Sequence, residues 1–249
     1  MMRRLILMCI VIAAFGAVSA FAQCVTVESS GVSLSTLIAN PGNCLTVGDK
    51  EFYDFTFAPE TSPVTAAGIS VTTFPPPTAF DGGEGVQFNG ILGLNNSAGT
   101  APASFDFSLG YSVLSTAGAT ISGISDLINA GCLNASGVNE ACTSSADVAV
   151  TETAIGGSPL QTAHSTVDLE ANVLNEPPAK GTDTLTFAPP VQSVVVTKDV
   201  SVSAGIGDNV SFSIIQQDFQ QVPEPGGYAL TLGLGIACLI WRKRAAAKA

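Results

Sequence analysis

His164 is the only histidine in this 249-residue chain, and Ser165 and Asp168 follow it closely. Serine, histidine and aspartate are the set used in acyl transfer. Neighbouring residues on a strand point to opposite faces, however, so these three cannot line up as a proton relay. No Gly-x-Ser-x-Gly turn exists to present a nucleophile. The reading is a solvent-facing histidine beside a strand. Glycoside hydrolysis asks for two carboxylates about 5–9.5 Å apart in a cleft. Glu28, Asp54, Asp81, Glu84, Glu152 and Glu170 are the candidates, and nothing in the sequence marks any of them as buried. One Trp and three Tyr offer little aromatic platform for a sugar-cleaving groove. Two Gly/Asp-rich stretches, Asp81-Gly82-Gly83-Glu84-Gly85 and Gly205-Ile206-Gly207-Asp208-Asn209, could supply oxygens to calcium. Neither has EF-hand spacing, and β-turns favour the same residues for backbone reasons. No phosphate loop, dinucleotide fingerprint or haem motif is present, so no catalytic residue, cofactor or metal is assigned.

The cysteines carry a clearer signal. Cys24, Cys44, Cys132 and Cys142 lie in the central region, while Cys9 and Cys238 fall in apolar end segments. An even number in an exported chain suggests disulfides. Three pairings are possible, and local closure favours Cys24–Cys44 and Cys132–Cys142, each bracketing a Gly/Asn-rich loop. The absence of Cys-x-x-Cys excludes zinc-ribbon and thioredoxin-like readings.

The central region reads as strands. Phe105, Phe107, Leu109, Tyr111 and Val113 alternate with Ser104, Asp106, Ser108, Gly110 and Ser112. Tyr53, Phe55 and Phe57 alternate with Asp54 and Thr56, and Val167, Leu169, Ala171 and Val173 repeat the pattern. Ile69–Thr73, Val86–Leu92, Val148–Thr153, Asp183–Phe187, Val191–Lys198 and Val210–Ile215 are further candidates. Such alternation implies antiparallel sheets with one wet side, and short strands separated by turn signals imply a β-sandwich. Ile121 to Ala130 is the exception, because Ile121, Ile124, Leu127 and Ile128 fit a short helix better than a strand. The Thr-Phe-Ala-Pro at 56–59 recurs at 186–189, which reads as two strand ends running into Pro turns.

The ends explain where such a domain goes. Arg3 and Arg4, an apolar run from Leu5 to Val18 and the Ala20-Phe21-Ala22 cleavage pattern make residues 1–22 a signal peptide. At the other end, Pro223-Glu224-Pro225 is a stiff hinge with two missing amide donors. Residues 226–241 carry no charge and rise about 24 Å as a helix, enough for a short transmembrane span. Trp241 is an interfacial residue, and Arg242, Lys243 and Arg244 open a basic stop over residues 242–249. This hinge, helix and basic stop, residues 220–249, resemble the PEP-CTERM sorting signal of Gram-negative surface proteins. The resemblance implies processing by an exosortase at Pro223-Glu224-Pro225, passage through the inner membrane and release to the cell surface or extracellular polysaccharide.

Between the ends, residues 23–219 read as one all-β ectodomain. It holds three lysines (Lys50, Lys180, Lys198) and nineteen of the twenty acids, a net charge of 3 − 19 = −16. Such a domain has no basic patch for nucleic acid or an anionic membrane. The functional expectation is a non-catalytic, structural or adhesive surface protein of the biofilm matrix. A carbohydrate-binding or calcium-dependent adhesive module is the alternative, and a secreted glycan hydrolase the third class.

Overall fold

The computed structural model describes residues 31–40, 42–61, 63–75, 83–116, 118–134, 142, 145–157, 160–170 and 179–222. The signal segment, Cys24, Glu28, Asp81, Ala171, Val173 and the 223–249 tail lie outside these residues. Among them, no helix is long and apolar enough to cross a membrane.

Twelve described strands form two antiparallel sheets of six. In chain order they are β1 (Val32–Ser33), β2 (Leu45–Val47), β3 (Lys50–Pro59), β4 (Ser70–Phe74), β5 (Glu84–Asn95), β6 (Ala103–Ser115), β7 (Thr120–Asn134), β8 (Asp147–Gly156), β9 (Gln161–Glu170), β10 (Ala179–Val191), β11 (Ser193–Ala204) and β12 (Asp208–Val222). A short α-helix, α1 (Leu34–Ala39), tucks Leu34 and Leu37 into the core. The first sheet runs β1-β4-β5-β12-β7-β10 and the second β2-β3-β6-β11-β8-β9. β10 and β11 are separated only by Gln192, yet belong to opposite sheets, so the chain turns a corner there.

Alternation on β6 comes out as the sequence implies. Phe105, Phe107, Leu109, Tyr111 and Val113 are all buried. Each such side chain removed from water contributes about 1.5–3 kcal/mol. They pack onto one continuous core with Phe52, Phe88, Val194, Val196, Val200, Phe212, Ile215 and Phe219 from both sheets. Tyr111 is the hub of an aromatic group: Phe88 lies 5.6 Å, Phe55 5.8 Å, Phe52 6.2 Å and Phe219 6.5 Å from its ring centre.

Two readings need correction. Ile121–Ala130 is not a helix but the middle of β7, paired with β12 on one side and β10 on the other. Being central in its sheet, it buries apolar residues on more than one phase, which imitates helical spacing. On β3 the expected face of Tyr53, Phe55 and Phe57 is broken by a bulge between Tyr53 and Thr56, with Asp54 at φ 53°. The extra residue changes the phase, so Phe52 and Phe55 are buried together. The two Thr-Phe-Ala-Pro stretches are a strand end on β3 and an interior stretch of β10.

Cys132 and Cys142 form a disulfide with Cα atoms 6.3 Å apart, as local closure implies. A loop of this size stabilises by about 2–4 kcal/mol, chiefly by restricting the unfolded chain. Cys44 is also disulfide-bonded, with its partner outside the described residues.

Candidate functional site

Two assemblies of polar side chains use the same strands, one on the outer face of the first sheet and one directly behind it in the core. The outer face is built by register. Thr72, Gln87, Gln216, Leu127 and Thr182 lie in one row across β4, β5, β12, β7 and β10, and Phe74, Gly85, Asp218, Ser125 and Thr184 in the next. Side-chain amides and hydroxyls are linked along these rows. Asn89 Nδ2 donates to Thr72 Oγ1 at 3.1 Å and Gln87 Nε2 to Asn89 Oδ1. Gln216 Nε2 donates to Asp218 Oδ1 at 3.3 Å and Gln220 Nε2 to Ser125 Oγ at 3.1 Å, and Ser125 is 3.3 Å from Thr184 Oγ1. Ser125 and Asp218 are fully buried, whereas Thr72, Gln87, Asn89 and Gln216 are half-buried. Gly85 is required by close approach: a Cβ there would meet Gln217 O at 2.3 Å and the Phe74 ring at 2.3 Å. The half-buried Phe74 ring therefore lies over β5 at the edge of the polar rows.

The outer face of the second sheet has a different chemistry. Asp106, Asp199, Asp147 and Asp168 are spread over β6, β11, β8 and β9 among Ser and Thr. An open hollow of about 530 Å³ at one end of this sheet is lined by Ser104, Asp147, Asp168 and Ser203. Four aspartates thus stand on the outer face of the second sheet, while the two rows described on the first sheet present mainly amides and hydroxyls.

Behind the amide rows lies a buried ion cluster that the sequence reading did not find. Lys198 on β11 and Glu152 on β8 are direct partners in the second sheet, and both side chains point inward. Asp126 and Gln217 are direct partners on β7 and β12 of the first sheet and meet them across the core. Lys198 Nζ donates to Asp126 Oδ1 at 2.5 Å and also to Glu152 Oε2. Gln217 Nε2 donates to Glu152 Oε2, and Ser165 Oγ to Asp126 Oδ2 at 2.7 Å. Lys198, Glu152 and Gln217 are 0% exposed and Asp126 is 2%. Tyr111 Oη, Glu152 Oε1 and Gln217 Oε1 are buried with no hydrogen-bond partner among the described residues.

One cation facing two carboxylates in an apolar core cannot keep both acids ionised. Burial is the largest influence on Glu152 and pushes it up to about 8; Asp126 adds to the rise and Lys198 opposes it. Glu152 Oε2 accepts from both Lys198 and Gln217, and the nearby charge of Asp126 favours a proton on Glu152. Burial alone would lower Lys198, but the charges of Asp126 and Glu152 outweigh it and hold the ammonium above its usual range. Burial raises Tyr111 well above the ordinary tyrosine range, helped by Glu152 and Asp126. Near neutral pH the cluster therefore holds an ammonium on Lys198 and a proton on Glu152.

A second lysine is treated similarly. Lys50 is 1% exposed, with Nζ bonded to Asp49 Oδ1, 3.3 Å from Ser115 Oγ and 3.7 Å from Glu84 Oε2. Gln221 Nε2 donates to Asp49 Oδ1 and, at 3.4 Å, to Glu84 Oε2, tying the end of β12 to this cluster.

The sequence-selected residues are thus dispersed. His164 is exposed on β9, 3.1 Å from Thr153 Oγ1, and Ser165 points the other way into the core. Asp54 is in the β3 bulge, Glu84 in the Lys50 cluster, and Glu170 at the end of β9. Glu152 corrects the expectation that no carboxylate is marked by burial. Gly205–Asn209 serves as a turn: Gly207 is at φ 90°, Gly205 N donates to Asp208 Oδ2 at 3.2 Å, and Asn96 Nδ2 donates to Gly205 O at 2.9 Å. Gly205 O and Asp208 Oδ2 are thereby engaged in the connection between β11 and β12.

No family model and no curated protein matches the chain. Among solved structures it is similar to TmCBM61 in complex with β-1,4-galactotriose, at 15% identity, 69% coverage of this chain and 89% of that one, with a TM-score of 0.31. TmCBM27, a carbohydrate-binding module described for specific mannan recognition, gives 6% identity, 78% and 97% coverage and a TM-score of 0.30. The N-terminal cellulose-binding domain of Cellulomonas fimi β-1,4-glucanase C gives 12%, 68% and 88%, and 0.20. At this distance the likeness assigns no ligand, and what the chain can bind follows from the chemistry of its own faces.

Proposed function

We propose that this chain is an exported, non-catalytic surface protein whose first-sheet outer face engages a neutral polysaccharide. The observation that carries the reading is the two register rows between Thr72 and Thr184, where amides and hydroxyls bond in three local groups with Phe74 at the margin. Amide and hydroxyl side chains offer donors and acceptors together, which is what the hydroxyls of a sugar require. An aromatic ring beside them supplies an apolar surface for a pyranose face. The acids of the second sheet repel polyanions, so neutral polymers are preferred.

Export rests on residues 1–22, and delivery to the surface on the resemblance of residues 220–249 to a PEP-CTERM tail. In this proposal an exosortase acts at Pro223-Glu224-Pro225, with Arg242, Lys243 and Arg244 holding the helix in the inner membrane beforehand. Mass spectrometry of the released protein is expected to find an N-terminus at Gln23 and a C-terminus near the hinge. A surface form that retains Trp241 in an exosortase-positive host would sink the sorting claim.

Binding is tested by affinity electrophoresis through neutral and anionic glycans. Wild type should be retarded in at least one neutral gel and in no anionic one. Gln87→Ala with Asn89→Ala should weaken retardation about tenfold, the loss of one or two net hydrogen bonds. Equal mobility of wild type and variant in every gel would remove the first-sheet face as the binding surface. Glycan turnover that disappears on substituting Asp147 or Asp168 in the second-sheet hollow would replace the reading with a hydrolase.

A further inference from the structure

We propose that Lys198 and Asp126 join covalently, forming an isopeptide bond between β11 and β7 that cross-links the two sheets through the core. The two residues are 72 positions apart in the chain, and Nζ lies 2.5 Å from Asp126 Oδ1. Both side chains are sealed from solvent, with relative exposures of 0% and 2%. Ser165 Oγ holds the other oxygen, Oδ2, at 2.7 Å and so fixes the plane of the carboxyl group. Glu152 Oε2 contacts the same Lys198 Nζ as Asp126 Oδ1, which places a second acid where a proton shuttle is needed.

A structural ion pair does not need this composition. One lysine and one aspartate would be neutral, whereas here a second acid is buried with its Oε1 unsatisfied. An unsatisfied oxygen fits an acid that carries a proton and passes it on. Amide formation needs a free amine and an un-ionised carboxyl; burial favours both, and the two acids that hold Lys198 as an ammonium are also in place to take its proton. Held within contact, the two groups react as an intramolecular pair, with the orientational cost already met by folding.

The atoms balance without an oxidant or activating group. Glu152 passes its proton to Asp126, and the Lys198 ammonium returns one to Glu152, leaving an amine and two neutral carboxyl groups. The amine lone pair forms the N–C bond at Asp126 Cγ, and the carbonyl π pair moves onto oxygen. Glu152 takes the proton released from nitrogen and delivers one to the departing oxygen. The C–O bond breaks, water leaves, and Glu152 is again a carboxylic acid. Overall, one ammonium and one carboxylate become one secondary amide and one water. Ser165 steadies the oxygen that gains charge in the intermediate.

The test is intact-mass and peptide mass spectrometry on the reduced full-length chain and its naturally processed form. The wild-type mass is expected to fall below the sequence value by one water, about 18 Da. Tryptic digestion should leave Lys198 uncleaved and give a branched peptide joining it to the segment that contains Asp126. Glu152→Gln keeps the shape of the shuttle without its proton, and should fold and show the full sequence mass. Lys198→Arg should also show the full mass. A wild-type chain at its full sequence mass, with Lys198 open to acetylation after denaturation, would overturn the proposal, as would a branch at Glu152 instead of Asp126. The wild-type measurement decides alone where a variant fails to fold, and it does not depend on whether the chain binds glycan.

Discussion

Lys198→Met is expected to lower stability by about 3–5 kcal/mol, measured by denaturant unfolding at neutral pH. The loss does not come from apolar contacts, since methionine fills nearly the same volume. It comes from Asp126 and Glu152, which face one another in the core once the lysine nitrogen between them, whether ammonium or the amide proposed above, is gone. To stay folded the variant must protonate both acids, so its deficit should grow as pH rises. The triple variant Lys198→Met, Asp126→Leu, Glu152→Met should regain most of that charge-related loss, because no buried charge then needs a partner. A single variant as stable as wild type would show that the cluster is hydrated or open. A triple variant no better than the single one would show that shape, not charge, is what Lys198 supplies.

Why the cluster escapes a sequence reading is visible residue by residue. Lys198 stands in phase with Val194, Val196, Val200 and Val202 on β11, so alternation puts it inward. Lysine at such a position reads as a strand end, because a buried charge is improbable until its partners are known. Glu152 is similarly in phase with Val148, Val150 and Ala154 on β8. Asp126 is hidden for a different reason, since the helical reading of Ile121 to Ala130 places it on no strand face. The pairing that brings the three together is between strands far apart in sequence, and one chain carries no record of it. The fold class is more legible. Strict alternation on β6, β8, β9 and β11 needs only a wet face and a dry face, and the two-sheet sandwich supplies both. β3 and β7 fail because a bulge and a central position each break the period-2 rule. The Cys132–Cys142 pairing is legible because ten residues separate the pair. The amide rows are only partly legible, because Gln, Asn and Thr at outward positions look like ordinary solvated surface until register aligns them across five strands.

Charge placement links the faces to the proposed role. Two of the three lysines of residues 23–219 are consumed in the interior, at Lys50 and Lys198, each against two carboxylates. They do not offset the acids on the second sheet, which remain available to repel neighbouring polyanions. The amide rows of the first sheet hold one acid, Asp218, fully buried and bonded to Gln216. A neutral polymer can therefore approach that sheet without meeting an exposed charge from these rows.

Raising the pH from about 5 to about 9 should lower the melting temperature, and Glu152 sets the sign. Its ordinary value is 4.5, and in the folded protein burial lifts it to about 8. Between those values the folded chain holds a proton that the unfolded chain has released. Stability therefore falls with rising pH across the window: the contribution of Glu152 is full below about 4.5 and gone above about 8. The total is on the order of a few kcal/mol. Glu84, also raised by burial, works in the same direction. Asp49 lies below its ordinary 3.8 and acts only at more acid pH, with the opposite sign. Lys198 is raised above its ordinary 10.5 and loses its contribution only in stronger alkali. Formation of the Lys198–Asp126 amide removes two charges beside Glu152 but not its burial, so the direction holds in either form. Thermal unfolding of wild type and Glu152→Gln across this range separates Glu152 from the rest, since glutamine does not titrate. The variant should show a markedly shallower decline, whatever its absolute stability without the cross-link. Parallel curves for the two proteins would mean that Glu152 is ionised throughout and that the buried cluster carries a net negative charge.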